Sequence, residues 1–225
     1  MKIASQSELT AEVEATGFVF LPSHLPKQTS GEAITRLGTI EKLAGLNEIQ
    51  ELTPKDSADS SPNIYSGNFG CGDFPFHTDL AHWFLPPRYL VLRCVEGARD
   101  VRTRLVDSKS IVQSVGEDSL CRALVQPRRP IEMNRSLLRI LERCSTNHSR
   151  FRWDNLFIVP ATDHSSRTCA AITKNLAAAK PVDFVLEKSG DTLVVDNWRM
   201  LHARSAVPMT QRSRKIHRAY LSNLI

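Results

Sequence analysis

The stretch "FPFHTDLAHWF", Phe74 to Phe84, sets His77, Asp79 and His82 inside an aromatic, apolar run. Polar groups of this kind are costly to bury unless something pairs with them. On a strand, side chains two residues apart share a face, so His77 and Asp79 project together while Thr78 turns away. One nitrogen and one oxygen ligand on a single face need a third ligand from elsewhere to hold a metal. Two imidazoles and a carboxylate on one side of an ion leave its other side open, which suits non-haem Fe(II) that activates O2. Taken alone, the pair reads more simply as a hydrogen-bonded histidine and a strand-end aspartate. His82 stands at an odd offset from His77 and reads as a residue of the rim.

A distal stretch strengthens the metal reading. "SGDTLVVDNWRMLHARSAV" opens with a Gly-Asp turn, runs on as an apolar strand and places His202 near its end. Twelve residues on comes Arg214, in "RSRKIHRAYL". Arg214, Ile216, Arg218 and Tyr220 share one face of a regular strand. Two arginines beside an apolar residue fit a core strand poorly. They fit a cavity that holds anions, because a guanidinium grips a carboxylate through two parallel hydrogen bonds. A solvated basic strand is the plainer alternative. Ahead of the first histidine, the loop "NIYSGNFGCGD" offers Tyr65, Asn68 and Asp73 as substrate contacts. Asp73 suits an amine and Arg218 a carboxylate, and together they suit an amino acid or a metabolite derived from one. Turn chemistry accounts for each of these loop residues more readily than a substrate role does. Arg152 and Asp154, in "FRWDN", line the pocket or pair with each other.

These residues need elements to position them. "SELTAEVEATG" predicts a short helix capped by Ser7 and closed by Gly17, and "FVFLPS" a strand after it. "GEAITRLGTIEKLAGLNEIQEL" has helical character interrupted by Gly38 and Gly45. The Ser-, Asp-, Pro- and Gly-rich span from Thr53 to Asp73 reads as a long loop, and such loops are often functional. Strands follow at "FPFHTDLA", "RYLVLRCV" and "TRLVDS". From Ser108 to Cys144 the pattern turns helical, as in "EDSLCRALV" and "NRSLLRILERC". "FRWDNLFIV" predicts a strand and "RTCAAITKNLAAA" a helix. Helices inserted between strands predict a mainly β fold, a sandwich or barrel core with helical decoration.

Length and composition bound the class. A chain of 225 residues with 41% apolar residues is expected to form a single domain, 1–225, with a real core. No apolar run is long enough to span a membrane, and no secretory leader pattern opens the chain, so the expected compartment is the cytoplasm. The five cysteines are widely spaced with no Cys-x-x-Cys pair, which reads as reduced thiols. The net charge of +5 is spread out, and "VQPRRP" and "QRSRKIHR" lack the interleaved aromatics of a base-stacking groove. The expected partner is therefore a small molecule, with neither nucleic acid nor membrane. No heptad or exposed stripe sets an oligomeric state.

The sequence resembles the TauD/TfdA family of Fe(II)- and 2-oxoglutarate-dependent dioxygenases, within the clavaminate-synthase-like group. "FPFHTD", "PPRYLVLRC", "GDTLVVDNWRMLHARSAV" and "RSRKIHRAYL" carry the resemblance, with "ATGFVFLPS" near the N-terminus. It implies a double-stranded β-helix, a jelly-roll or cupin-like barrel whose mouth holds the metal. It implies His77, Asp79 and His202 as iron ligands and Arg214 as the partner of the far carboxylate of 2-oxoglutarate, with Thr103 assisting there. Arg218 lies where relatives bring a second arginine towards the substrate, and Asp196 or Asn197 is placed to orient His202. The implied reaction, with O2 as co-substrate, yields succinate, CO2 and a hydroxylated or otherwise oxidised product. Related halogenases have a small residue in place of Asp79, so the aspartate implies an oxygen-derived outcome. The span between Asp79 and His202 is short for the family. A cupin-like metal protein or isomerase without oxygenase activity is the rival reading, and it has no use for Arg214.

Overall fold

The computed structural model describes residues 6–129, 136–145 and 148–225. In chain order the elements begin with α1 (Gln6–Thr16), β1 (Phe18–Leu21), α2 (Ser30–Thr35), β2 (Gly38–Ile40), β3 (Gln50–Leu52), α3 (Tyr65–Phe69) and β4 (Phe74–His77). There follow β5 (Tyr89–Glu96), β6 (Arg102–Asp107), α4 (Ser108–Val115), α5 (Glu117–Arg122) and β7 (Leu124–Pro127). Next come β8 (Leu138–Arg139), β9 (Leu141–Arg143), β10 (Ser149–Phe151), β11 (Ile158–Pro160) and α6 (Asp163–Ala178). The chain closes with β12 (Val182–Val185), β13 (Thr192–Asp196), β14 (Met200–Arg204) and β15 (Lys215–Leu224).

Two antiparallel sheets dominate. One runs β1-β13-β5-β15-β2, with β3 also on β15, and the other runs β12-β6-β14-β4. They face each other across a core in which Leu90, Leu92 and Ile216 from the first meet Leu105, Met200 and Phe184 from the second. The opposite faces are covered as well. Leu9 and Val13 of α1 and Ile34 of α2 pack on Val91, Val194 and Leu221. On the far side Ile111, Leu120 and Ile172, one from each of α4 to α6, pack with Leu201. β5 therefore reads as an almost unbroken apolar run because both of its faces are buried.

This architecture corrects the expected fold class. The chain is mixed α/β rather than mainly β, and among the described residues the sheets are open rather than closed into a jelly-roll or cupin-like barrel. No described strand pairs from one large sheet to the other. The sheet edges fall on short strands, β1 and β4 among them, and the outer faces are buried by helices instead of being left to solvent.

Several elements also differ from expectation. Ser7 is already within α1, while Gly17 does close that helix, with φ 88° and its N–H on the Val13 carbonyl. The helical reading of Gly31–Leu52 holds only to Thr35. Gly38 starts a strand there, and a Cβ on it would strike the Asn223 carbonyl across the pairing with β15. Leu138–Arg139 and Leu141–Arg143 are short strands rather than a helix, and Asn134 and Arg135 lie outside the described residues. "FRWDNLFIV" divides into β10 and β11 around an irregular turn at Asp154.

Candidate metal centre

His77 ends β4 and His202 sits mid-strand in β14, and the two are register partners on neighbouring antiparallel strands. Their side chains therefore leave the same face, towards the core between the two large sheets. Asp79 joins them by a turn rather than by strand alternation. β4 stops at His77, and Leu80 follows with φ 55°. A branched side chain in that left-handed region is uncommon and needs support from its surroundings.

That support is visible on both sides. Thr78 donates its N–H to the Trp153 carbonyl at 2.9 Å, and its hydroxyl accepts the Trp153 N–H at 3.2 Å. The Asn197 carboxamide accepts the Asp79 N–H at 2.7 Å and donates to the carbonyls of Asp79 and Pro87 at 3.0 and 2.9 Å. Arg152 is buried and donates to the carbonyls of Ala81, Trp83, Phe84 and Arg139, fixing the chain as it leaves the site.

The result is a buried cluster. Asp79 Oδ1 lies 3.4 Å from Nε2 of His77 and 3.4 Å from Nε2 of His202. One ligand atom from each of the three residues falls within 4.8 Å of the others. His77 is oriented by a hydrogen bond from Nδ1 to the Pro75 carbonyl at 2.8 Å, while His202 Nδ1 is buried without a partner among the described residues. Asp79 Oδ2 accepts from Arg218 Nη1 at 3.0 Å and from the Tyr220 hydroxyl at 2.9 Å. Burial works against the Asp79 carboxylate, but Arg218, His202 and the two imidazole hydrogen bonds outweigh it and hold its pKa well below the usual range. Burial also opposes charge on His77, yet Asp79 and then Asp154 prevail and raise its pKa. His202 is lowered, by burial first and by His77 next. Two nitrogens and one carboxylate oxygen meeting in a buried cluster form a donor set that fits a divalent transition metal.

Arg214 supplies a second test of fit. Its side chain is buried, its Nε has no partner, and its guanidinium makes no hydrogen bond among the described residues. Burial, with the charge of Arg204 beside it, brings its pKa down to about 10. A buried guanidinium left unpaired next to another cation is a place for an anion. Thr103, also buried, is the register partner of Arg204 on β6.

The remaining candidates separate. Tyr65 stacks on His77 with ring centroids 4.2 Å apart, and burial followed by the charge of Asp154 raises the pKa of its hydroxyl. Asn68 is exposed and donates to the carbonyls of Pro62 and Ile64 within its own loop. Asp73 is exposed and accepts the Ala206 N–H. Arg218 is taken up by Asp79 and by Gln50, at 2.6 Å. His82 is half-buried, its ring 5.6 Å from Phe157 and its Nδ1 without a hydrogen-bond partner among the described residues. Neither Asp196 nor Asn197 reaches His202, since Asp196 caps the Trp198 N–H and Asn197 braces Asp79. Sequence reasoning missed the parts played by Tyr220, Gln50 and Asn197. The alternation of β15 pointed to Tyr220, but nothing local marked Gln50.

No family model matches the sequence, and no curated protein matches it either. Solved structures do match. An asparagine oxygenase in complex with Fe(II), 2S,3S-3-hydroxyasparagine and succinate superposes with a TM-score of 0.71 at 16% identity, over 96% of this chain and 78% of that one. The PvcB protein from Pseudomonas aeruginosa gives 0.68 at 18% identity, over 96% and 79%. The non-heme iron oxygenase OrfP, in complex with Fe and alpha-ketoglutaric acid, gives 0.67 at 18% identity, over 97% and 80%. In fold, this chain is like these oxygenases.

Proposed function

We propose that the protein is a non-haem Fe(II)- and 2-oxoglutarate-dependent dioxygenase, acting as one domain over 1–225. It oxidises an unactivated C–H bond of a small amino-acid-like substrate or secondary metabolite and releases succinate and CO2. The observation that carries this reading is the buried His77–Asp79–His202 cluster, together with a buried Arg214 guanidinium that has no hydrogen-bond partner among the described residues. His77, Asp79 and His202 would hold the iron, and Arg214 would take the far carboxylate of 2-oxoglutarate, with Thr103 beside it. Bound iron supplies the activation of O2 that couples oxidation of the co-substrate to oxidation of the substrate. The chain's own part is positioning and the exclusion of water. Asn197 and Thr78 set the Asp79 turn, and Tyr65 shields His77. The unpaired Arg214 favours this reading over a metal protein that lacks 2-oxoglutarate.

An amino-acid-like substrate is supported by the hydroxylated amino acids in several of the matching structures, 2S,3S-3-hydroxyasparagine and (3S)-hydroxy-L-Arg among them. Tyr65 is the substrate-contact candidate that lies against the cluster. Arg218, Asp73 and Asn68 would need to leave their present partners to reach a substrate. The basic cluster near the C-terminus favours no nucleic acid. Arg212 pairs with Asp56 and Lys215 with Glu51, while Arg214 and Arg218 point inward. No helix among the described residues is long and apolar enough to cross a membrane. The compartment in this reading is the cytoplasm.

The test is release of CO2 from 1-labelled 2-oxoglutarate under air with Fe(II), with amino acids added in turn. Slow release that one class of amino acid accelerates is the expected result. Absence of release with iron bound would overturn the assignment.

A further inference from the structure

Arg218 stands where the family resemblance places a substrate-binding arginine, yet its Nη1 donates to Asp79 Oδ2 at 3.0 Å. Tyr220, two residues on and on the same face of β15, donates its hydroxyl to the same oxygen at 2.9 Å. The other Asp79 oxygen, Oδ1, is the one that faces both imidazoles, at 3.4 Å from each Nε2. The two oxygens of one carboxylate are thus divided between two tasks.

The clamp is itself held. Arg218 Nη2 donates to Gln50 Oε1 at 2.6 Å, from the neighbouring strand β3 in register. The guanidinium lies 5.5 Å from the centre of the Tyr220 ring. The Asp79 backbone is pinned independently by Asn197. With the backbone fixed and Oδ2 saturated by two donors, the carboxylate cannot rotate to offer both oxygens to an ion. The imidazoles come from the four-stranded sheet and the clamp from the six-stranded one, so the pair also ties the two sheets together at the metal centre.

Resting on the metal-centre reading above, we propose that Arg218 and Tyr220 are positioning residues that hold Asp79 as a one-oxygen metal ligand, and that Arg218 is committed to this task rather than to the substrate. Partners that orient a ligating side chain typically change metal affinity 10- to 100-fold when removed. An arginine that grips substrate leaves the affinity for a metal alone unchanged.

Anaerobic titration of the full chain with Co(II), followed by the visible d–d absorption, reads both affinity and coordination. The parent is compared with Tyr220→Phe, Arg218→Gln, Arg218→Lys and His202→Ala, each checked for a parent-like thermal melt. The expected result is a Co(II) Kd raised about 10-fold in Tyr220→Phe and more in Arg218→Gln, with altered band intensity and partial recovery in Arg218→Lys. His202→Ala should bind least. Tyr220→Phe removes one oxygen and keeps the ring, so it remains informative if the arginine variants do not fold. A Kd within twofold of the parent and an unchanged band in Tyr220→Phe and any folded Arg218 variant would overturn the clamp while leaving the metal centre intact. Failure of the parent to bind Co(II) would overturn both.

Discussion

Asp79 shows how much a single residue depends on groups most of which are remote from it in sequence. Its backbone is set by Asn197 and its carboxylate by His77, His202, Arg218 and Tyr220. Replacing Asn197 by Ala removes three hydrogen bonds and leaves buried polar groups unpaired. The expected cost is about 3 kcal/mol of stability, read from urea unfolding, together with weaker metal binding. Arg214 is a different kind of residue, because its buried guanidinium has no hydrogen bond or ion pair among the described residues. Arg214→Ala should leave stability within about 1 kcal/mol of the parent or raise it, since an unpaired buried cation is lost, and should weaken 2-oxoglutarate binding at least tenfold, measured by calorimetry. Residue types singled out His77, Asp79 and Arg214 in the sequence, but the strand alternation expected of them is not what places them: Asp79 lies on the turn after β4 and Arg214 just ahead of β15. Asn68 and Asp73 were legible only as turn residues, and the structure has them hydrogen-bonded within and beside their own loop.

At the scale of elements, β14 and β15 bring the distal residues to the turn after β4. Their alternation was readable because each strand buries one face in the inter-sheet core: Met200 and His202 point inward with Ile216 and Tyr220, and Leu201 and Leu221 point outward. The segment from Gly31 to Leu52 was not readable, because helix-forming residues there yield to pairing of β2 and β3 with β15. Leu138 to Arg143 misled for the same reason, its apolar residues fitting a helical period while packing as edge strands. Arg152 is the tie between these small strands and the metal turn, with its guanidinium on the carbonyls of Ala81, Trp83 and Phe84. Arg152→Met leaves those carbonyls without donors. The expected loss is about 3 kcal/mol or more, seen as a lower urea midpoint, with faster amide exchange at Ala81–Phe84.

For the whole molecule, two sheets face each other across the site, and helices bury both outer faces. The sequence pattern conveyed alternating strands but not this layering, since a strand buried on both faces looks the same in a barrel and in a layered sheet. The outer layers carry their own pH sensitivity. His24, far from the metal turn in sequence, is buried against the Ala33 carbonyl near Arg93, and burial, with Arg93 adding to it, depresses its pKa. Its unfolded value is about 6.5, so the unfolded chain takes up the proton first. Stability is then full above that pH and declines as pH falls through it. His24→Gln should flatten the fall in the urea midpoint between pH 7 and pH 5.5, whereas an equal fall in parent and variant would remove His24 from the account.

The central claim is that one interior holds both an iron site and a 2-oxoglutarate site. Anaerobic titration with Fe(II) and 2-oxoglutarate, followed by the visible metal-to-ligand charge-transfer band, tests it most directly. The expected result is a band in the parent, absent in His202→Ala and weakened in Arg214→Ala. Iron bound without any such band, or no iron bound at all, would contradict it.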